Sequence, residues 1–357
     1  MQVQPPTFTD VLRARALLAN HLPPTPMWSY PSLDGVVSDA REQASRPRPT
    51  ATQVARVSGR RSEQKGSVGA TTFVKHDNVQ PTGAFKVRGG VTLLAGMAPA
   101  ERERGVLTYS TGNHAQSLAY ATRLFDVPCV IVMPENPNES KVTAVRSLGA
   151  SVVLHGQTLD DAKEHAERLA DQRGMRLVSA GNEPALVAGV ATAYLEVFES
   201  VPDLDALFVP VGGGSGAAAA CLVASALAPG CRVVGVQSAA SPAACESWRG
   251  GTCVRRPNRS RVEGLATGSG FELTQGFMRG HLSDFVLVSD DDISRAQRLL
   301  LTHAHTLAEG AGAASLAGLL ASHADWTGTR VGTVCTGGNA SPEEIATSLN
   351  AETPIPV

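Results

Sequence analysis

The chain has 357 residues, of which 43% are hydrophobic and 18% charged, enough for two lobes with cores of their own. A formal net charge of -2 and an aromatic content of 4% argue against the basic face and stacking aromatics of a nucleic-acid-binding protein. The longest apolar run, SGAAAACLVASALA, is broken by Ser and Gly and reads as a buried helix rather than a membrane span, and MQVQPPTFTD has no signal-peptide pattern.

In chain order, TFTDVLRARALLANHL opens a helix. Thr9 or Asp10 is placed to cap it, Val11, Leu17 and Leu18 share a face, and PPTPM stops it. Residues 36–70 show no sustained period and few large apolar side chains. Between Asp39 and Lys65 they carry seven Lys/Arg against three Asp/Glu, a net of +4. This composition predicts a solvated, mobile loop.

From Thr71 onward, short apolar runs alternate with helical segments. The predicted strands are TFVKH, GVLTYST, PCVIVMP, SVVLHG, ALFVPVGGG, RVVGVQS, DFVLVSD and RVGTVCTGG, with helices starting near Asn113, Asp160, Ala217 and Asp291. Continuous rather than alternating hydrophobicity predicts parallel strands covered on both faces, an α/β fold. Ligands of such sheets sit at the carboxyl ends of the strands. The loops there read STGNH, MPENP, VGGGSG, QSAASP and CTGGN.

VPVGGGSGAAAA runs from strand through glycine turn to helix. Gly212, Gly213, Gly214 and Gly216 let backbone N–H groups approach an anion at the positive end of the following helix. Gly212, Gly214 and Ala217 also satisfy the G-x-G-x-x-A dinucleotide pattern. The acidic residue that pattern needs on the ribose is missing, because the next strand ends at Gln237. A small phosphate fits better than a nicotinamide cofactor. STGNHAQ starts another helix, and Ser110, Thr111, Gly112 and Asn113 form a second anion nest, sized for a carboxylate. His114 reads as a structural histidine before a base. Thr336, in CTGGN, can donate a hydrogen bond to a ring nitrogen. Glu309, in EGAGA, either lines the site or caps a turn.

Lys86 stands in QPTGAFKVRGG among Ala84, Phe85 and Val87. An apolar setting lowers a lysine's pKa and frees its amine for attack. A phosphate cradle, a carboxylate nest and such a lysine together describe a pyridoxal phosphate site, with Lys86 holding the cofactor aldehyde as a Schiff base and Phe85 packing on the ring. The six cysteines, Cys129, Cys221, Cys231, Cys245, Cys253 and Cys335, form no CxxC pair or regular spacing. They read as reduced thiols of a cytoplasmic protein.

QPTGAFKVRGG, STGNHAQ, VGGGSG, EGAGA and CTGGN stand in the order found in fold-type II pyridoxal phosphate enzymes of the tryptophan synthase β-like fold. From about Pro23 to Asn339, apart from 36–70, the chain resembles the threonine/serine dehydratase (ammonia-lyase) family, with a serine-racemase-like catalytic domain. The resemblance implies two three-layer α/β domains with mostly parallel sheets. Residues 1–104 and 178–357 would form a large cofactor-binding domain, and 105–177 a small domain that closes over the substrate. It also implies pyridoxal 5'-phosphate as cofactor, a small amino acid as substrate and a homodimer. Lys86 would bind the cofactor and move the Cα proton, and Asn113 would bind the ring hydroxyl. Ser110, Thr111, Gly112, His114 and Gly264 would surround the substrate, and Gly212, Gly213, Gly214, Ser215 and Gly216 would hold the phosphate. Glu309 would join the cofactor site and Thr336 would face the pyridine nitrogen. A neutral hydroxyl at Thr336 favours elimination over transamination.

Three departures from the family pattern stand out. Ser215 replaces a fourth consecutive Gly. Gln237 and Ala243 replace the acidic ligands of metal-activated members, so no metal is expected. Thr111 replaces the serine that racemases use as the opposite-face acid/base; its hydroxyl remains the catalytic candidate for that role beside Lys86, with efficient racemisation not expected. The expected activity is conversion of a β-hydroxy amino acid to a 2-oxo acid and ammonia. A β-replacement enzyme of the same fold, cysteine- or threonine-synthase-like, or an amino acid racemase, is the alternative.

Overall fold

An alternation of strands and helices builds two sheets, and the loops that follow the strands ending at Tyr109, Pro210 and Cys335 meet at one cavity. The computed structural model describes residues 4–45, 69–137 and 139–352. In order the elements are α1 (Phe8–Leu18), β1 (Met27–Ser29), α2 (Pro31–Ser45), β2 (Thr71–His76), α3 (Lys86–Gly96), α4 (Pro99–Arg104), β3 (Val106–Tyr109), α5 (Asn113–Leu124), β4 (Cys129–Met133), α6 (Glu139–Ser147), β5 (Ser151–Leu154) and α7 (Leu159–Arg173). They continue with β6 (Arg176–Leu177), α8 (Pro184–Ser200), β7 (Ala206–Pro210), α9 (Ser215–Leu227), β8 (Arg232–Ser238), α10 (Ala243–Gly250), α11 (Glu272–His281), β9 (Asp284–Val288), α12 (Asp290–His303), α13 (Gly310–Ala321), β10 (Arg330–Cys335) and α14 (Pro342–Leu349).

One sheet has six strands in the order β1-β2-β10-β7-β8-β9, parallel except for β1, which pairs antiparallel with β2. The other has four parallel strands in the order β5-β4-β3-β6, all drawn from residues 106–177. Both faces of the six-stranded sheet are covered. Tyr194 and Phe198 of α8 and Ala217 to Val223 of α9 pack against Leu207 and Val209 on one side. Ile293 and Leu300 of α12 and Leu316 of α13 pack against Phe208 and Val236 on the other. The four-stranded sheet lies between α3 and α5, through Val91, Leu118 and Ile131, and α7, through Leu107, Val132 and Ala166. Burial on both faces is why these strands read as unbroken apolar runs.

All eight predicted strands are present. The helix caps differ in one place: Thr7, not Thr9 or Asp10, is the N-cap of α1, and Asp10 completes a capping box with it. The expectation of a loop over 36–70 is corrected at its start. Residues 36–45 continue α2, and Val36 and Val37 are buried beside Leu33 in the core under α12 and α13. Spacing of three and four residues puts these three on one helix face. Ala70, at the far end, is also buried, and residues 46–68 of that expectation lie outside the described residues.

Candidate active site

A cavity of about 260 Å³ opens between the two sheets. Phe85, Lys86, Ser110, Thr111, Gly112, Asn113, His114, Gly212, Gly213, Gly214, Ser215, Gly216, Gly264, Glu309 and Thr336 all line it, so every predicted site residue converges there. Of the five predicted loops, STGNH, VGGGSG and CTGGN reach the cavity, while MPENP and QSAASP do not.

Lys86 is the first residue of α3. Its Nζ lies 2.7 Å from Ser215 Oγ and 5.3 Å from the centroid of the Phe85 ring. Burial of the ammonium pushes its pKa down to about 8, so an appreciable fraction is free amine near neutral pH. Phe85 N–H donates to Thr336 O at 2.9 Å, which ties the start of α3 to the loop after β10. Ser117 of α5 donates to Lys86 O at 2.6 Å.

The glycine turn is built for close approach. Gly214 has φ +86° and is the N-cap of α9, with no side chain capping the helix. A Cβ on Gly212 would fall 2.2 Å from Gly264 O, and one on Gly216 would fall 3.0 Å from Tyr194 Oη and 3.4 Å from the Phe85 ring. The first intrahelical bond of α9 is Ala218 N–H to Gly214 O, so the N–H groups of the preceding turn are left for a ligand. The same holds at α5. Its N-cap is Gly112, and none of Ser110, Thr111 or Asn113 caps it. The first intrahelical bond of α5 is Gln116 N–H to Gly112 O, so the N–H groups of Asn113, His114 and Ala115 remain open to an anion, while Gly112 N–H is taken by Ser110 Oγ at 3.3 Å.

Asn113 is held between two partners. Its Nδ2 donates to Glu309 Oε1 at 2.5 Å, and its Oδ1 accepts from Asn339 Nδ2 at 2.8 Å. Burial raises the Glu309 pKa to about 7. His114 is engaged elsewhere. Its Nε2 lies 3.0 Å from Thr108 Oγ1, whose own proton goes to Val178 O at 2.8 Å, so Nε2 carries the proton. Burial, with the charge of Lys86, lowers the His114 pKa to about 3. That is a neutral structural imidazole at the cavity wall.

Asn339 and Glu344 line the cavity although sequence reasoning did not single them out. Asn339 stands at the end of CTGGN, which is a usable signal. Glu344 accepts from Gly310 N–H at 2.5 Å and from Gln297 Nε2 at 3.0 Å, a capping role for α13 that only the tertiary structure reveals. Lys141 and Arg261 also line the cavity, and as ordinary charged residues they carry no sequence signal. Gln237 is fully buried, and its Oε1 accepts from Cys245 N–H at 3.0 Å. It ties β8 to α10, and the neighbouring Ala243 is buried too. No group of three or more metal-ligating side chains occurs among the described residues.

An enclosed amine, two uncapped helix starts and a neutral hydroxyl at Thr336 match an aldehyde, a phosphate, a carboxylate and a ring nitrogen in turn. The chain belongs to the pyridoxal-phosphate dependent enzyme family, which it matches over residues 52–337. It is 36% identical over 283 residues to the L-threonine ammonia-lyase of Thermotoga maritima, covering 79% of this chain and 70% of that one. It is 32% identical over 286 residues to the L-threo-3-hydroxyaspartate ammonia-lyase of Saccharomyces cerevisiae, covering 80% and 88%. The crystal structure of a threonine deaminase from T.th. is similar with a TM-score of 0.80 at 29% identity, covering 94% of this chain and 99% of that one. Maize serine racemase, at a TM-score of 0.83, 24% identity and 97% coverage of both chains, is alike in fold. The chain is thus a fold-type II enzyme, its cofactor is pyridoxal 5'-phosphate, and it is a pyridoxal-phosphate-dependent lyase.

Proposed function

We propose that the enzyme deaminates a β-hydroxy amino acid of the threonine/serine type to a 2-oxo acid and ammonia. The observation that carries the reading is the pairing of a desolvated Lys86 amine with the neutral hydroxyl of Thr336 in one cavity. Relatives named as threonine and hydroxyaspartate ammonia-lyases support it. When bound, pyridoxal phosphate supplies an electron sink for charge developing at the substrate's Cα.

The chain's own residues do the remaining work. Lys86 Nζ would hold the cofactor aldehyde and, as a free amine, would take the substrate's Cα proton. Gly212 to Gly216 and the start of α9 hold the phosphate. Ser110, Thr111 and Gly112, with the open N–H groups of α5, hold the substrate carboxylate. Asn113, braced by Glu309 and Asn339, meets the ring hydroxyl. Thr336 offers the ring nitrogen a hydroxyl instead of a carboxylate, which disfavours protonation there. Residues 105–177 act as a small domain that closes over the substrate. All six cysteines are free and none is exposed, which supports a reducing, cytoplasmic setting. A homodimer is the assembly that the family resemblance implies.

The test is direct. Borohydride should fix the cofactor to Lys86, as mapped by mass spectrometry, and Lys86→Ala should lose turnover by several orders of magnitude. Serine, threonine, 3-hydroxyaspartate and phenylserine are then assayed for 2-oxo acid release. If none reacts, and an added thiol instead yields a substituted amino acid, the β-replacement alternative takes its place.

A further inference from the structure

Ser215 stands at an unusual junction. It is the first residue of α9, it is 2% exposed, and its Oγ lies 2.7 Å from Lys86 Nζ. The lysine amine thus rests against the N-terminal end of a helix, where the dipole and the open N–H groups are unfavourable to a positive charge. Backbone N–H groups can only donate, and so can an ammonium. A hydroxyl can accept from an ammonium or donate to a free amine. Ser215 is therefore the one group of the turn that can hold Lys86 in either protonation state. A glycine at this position would remove the hydroxyl that Lys86 Nζ contacts.

The other neighbours do not substitute for it. The Phe85 ring is 5.3 Å away and carries no acceptor. From α5, His114 is neutral and its Nε2 proton is committed to Thr108. Thr336 from the loop after β10, Glu309 at the start of α13 and Lys141 of α6 line the same cavity, but Glu309 is bonded to Asn113, Lys141 to Glu263, and the hydroxyl that Lys86 Nζ reaches is that of Ser215, not of Thr336.

We infer that Ser215 is a positioning residue for Lys86: its hydroxyl docks the free lysine amine at the phosphate cradle whenever that amine is not joined to the cofactor. This rests on the lyase reading above, in which Lys86 alternates between a covalently engaged and a free state. An amine that leaves and returns each turnover needs a fixed resting place within reach of both its targets. The low pKa of Lys86 near 8 means both protonation states are populated around neutral pH, so a partner that serves both is what the position requires.

The experiment compares wild-type apoprotein with Ser215→Ala, Ser215→Gly and the hydroxyl-retaining Ser215→Thr. The rate at which pyridoxal phosphate couples to Lys86 is followed by absorbance across the pH range, and kcat and KM are measured on the loaded enzymes. Loss of the acceptor should destabilise the ammonium, so the coupling midpoint of Ser215→Ala and Ser215→Gly should fall by about one pH unit. Their kcat should drop about tenfold with KM nearly unchanged, and Ser215→Thr should restore both. Melting curves of the apoproteins separate these effects from misfolding. An unchanged midpoint overturns the inference, including the case in which cofactor affinity alone is lost, since Ser215 would then serve only the phosphate. Mass mapping of the coupled residue to another lysine would instead overturn the functional reading itself.

Discussion

Glu309 illustrates how one side chain records the chemistry of its surroundings. Its carboxyl is enclosed at the start of α13, and desolvation raises its pKa to about 7, with the hydrogen bond from Asn113 opposing in part. The folded value lies above the ordinary value of 4.5. The protonated form is therefore the one the fold favours. This contribution is fully present below about pH 4.5 and is lost as pH rises through about 7. Glu309→Gln keeps the shape and the hydrogen-bonding atoms but cannot ionise. The melting temperature of the wild-type apoprotein, relative to that of the variant, should fall between those pH values by the equivalent of about 3 kcal/mol. Parallel curves would mean that the carboxylate is ionised throughout. Sequence reasoning left Glu309 divided between cavity lining and turn capping, and the structure puts it at the N-cap position of α13 without a side-chain cap bond, its carboxyl at the cavity wall against Asn113. Lys86, Asn113 and Gly212 to Gly216 are legible in the sequence because each begins or precedes a helix in a run of small residues. Asn339 reaches Asn113 across 226 residues of chain, and no local pattern encodes that contact.

At the scale of elements, the placement of α3 depends on charges that the sequence does not flag. Lys75 of β2, Asp77 just after it, Arg88 of α3 and Glu196 of α8 form a buried cluster of two cations and two carboxylates. Lys75 Nζ donates to Glu196 Oε2 at 2.5 Å and Thr25 O at 2.6 Å. Arg88 makes bonds of 2.9 and 3.0 Å to Asp77 and of 2.7 and 2.9 Å to Glu196. Arg88 is two residues beyond Lys86, so this cluster fixes the helix turn that presents the Lys86 amine to the cavity. Removing one member strands the others, at a cost of about 3–5 kcal/mol for a buried pair. Arg88→Met and Glu196→Gln should each lower the urea midpoint accordingly, and a loss below about 1 kcal/mol would show that water enters and compensates. Helix starts carry a related lesson. Thr7, Thr158, Ser289 and Ser341 cap α1, α7, α12 and α14, whereas α5 and α9 begin at glycines without a cap. That contrast is readable from residue type alone. The three residues of β1 and two of β6 are too short to show a period, and α2 is obscured by the charged run that follows its buried face.

For the whole molecule, the closure proposed above for residues 105–177 makes predictions of its own. The strands of the four-stranded sheet all come from this segment. Asn113 is bound across the cavity to Glu309 and Asn339, and Lys141 of α6 pairs with Glu263 at the cavity wall. Closure of the segment over the substrate, as proposed above, would use such contacts as clasps. The Lys141–Glu263 pair is the one that can be removed without touching the amine or the cradle. Glu263 is 55% exposed along its side chain, so the pair is screened and worth at most about 1 kcal/mol. That energy corresponds to about a fivefold bias between open and closed forms. Glu263→Gln should therefore raise KM for the amino acid by up to about fivefold, while the visible cofactor band stays unchanged. High salt should bring the wild-type KM toward that of the variant, because it screens the same pair. Amide exchange adds a second reading: a bound substrate analogue should slow exchange over residues 110–114 and 139–147 in the wild type, and less so in the variant. An unchanged KM together with a salt-insensitive wild type would show that the segment does not close through this pair, and that the Asn113 contacts alone hold the two sheets over the substrate.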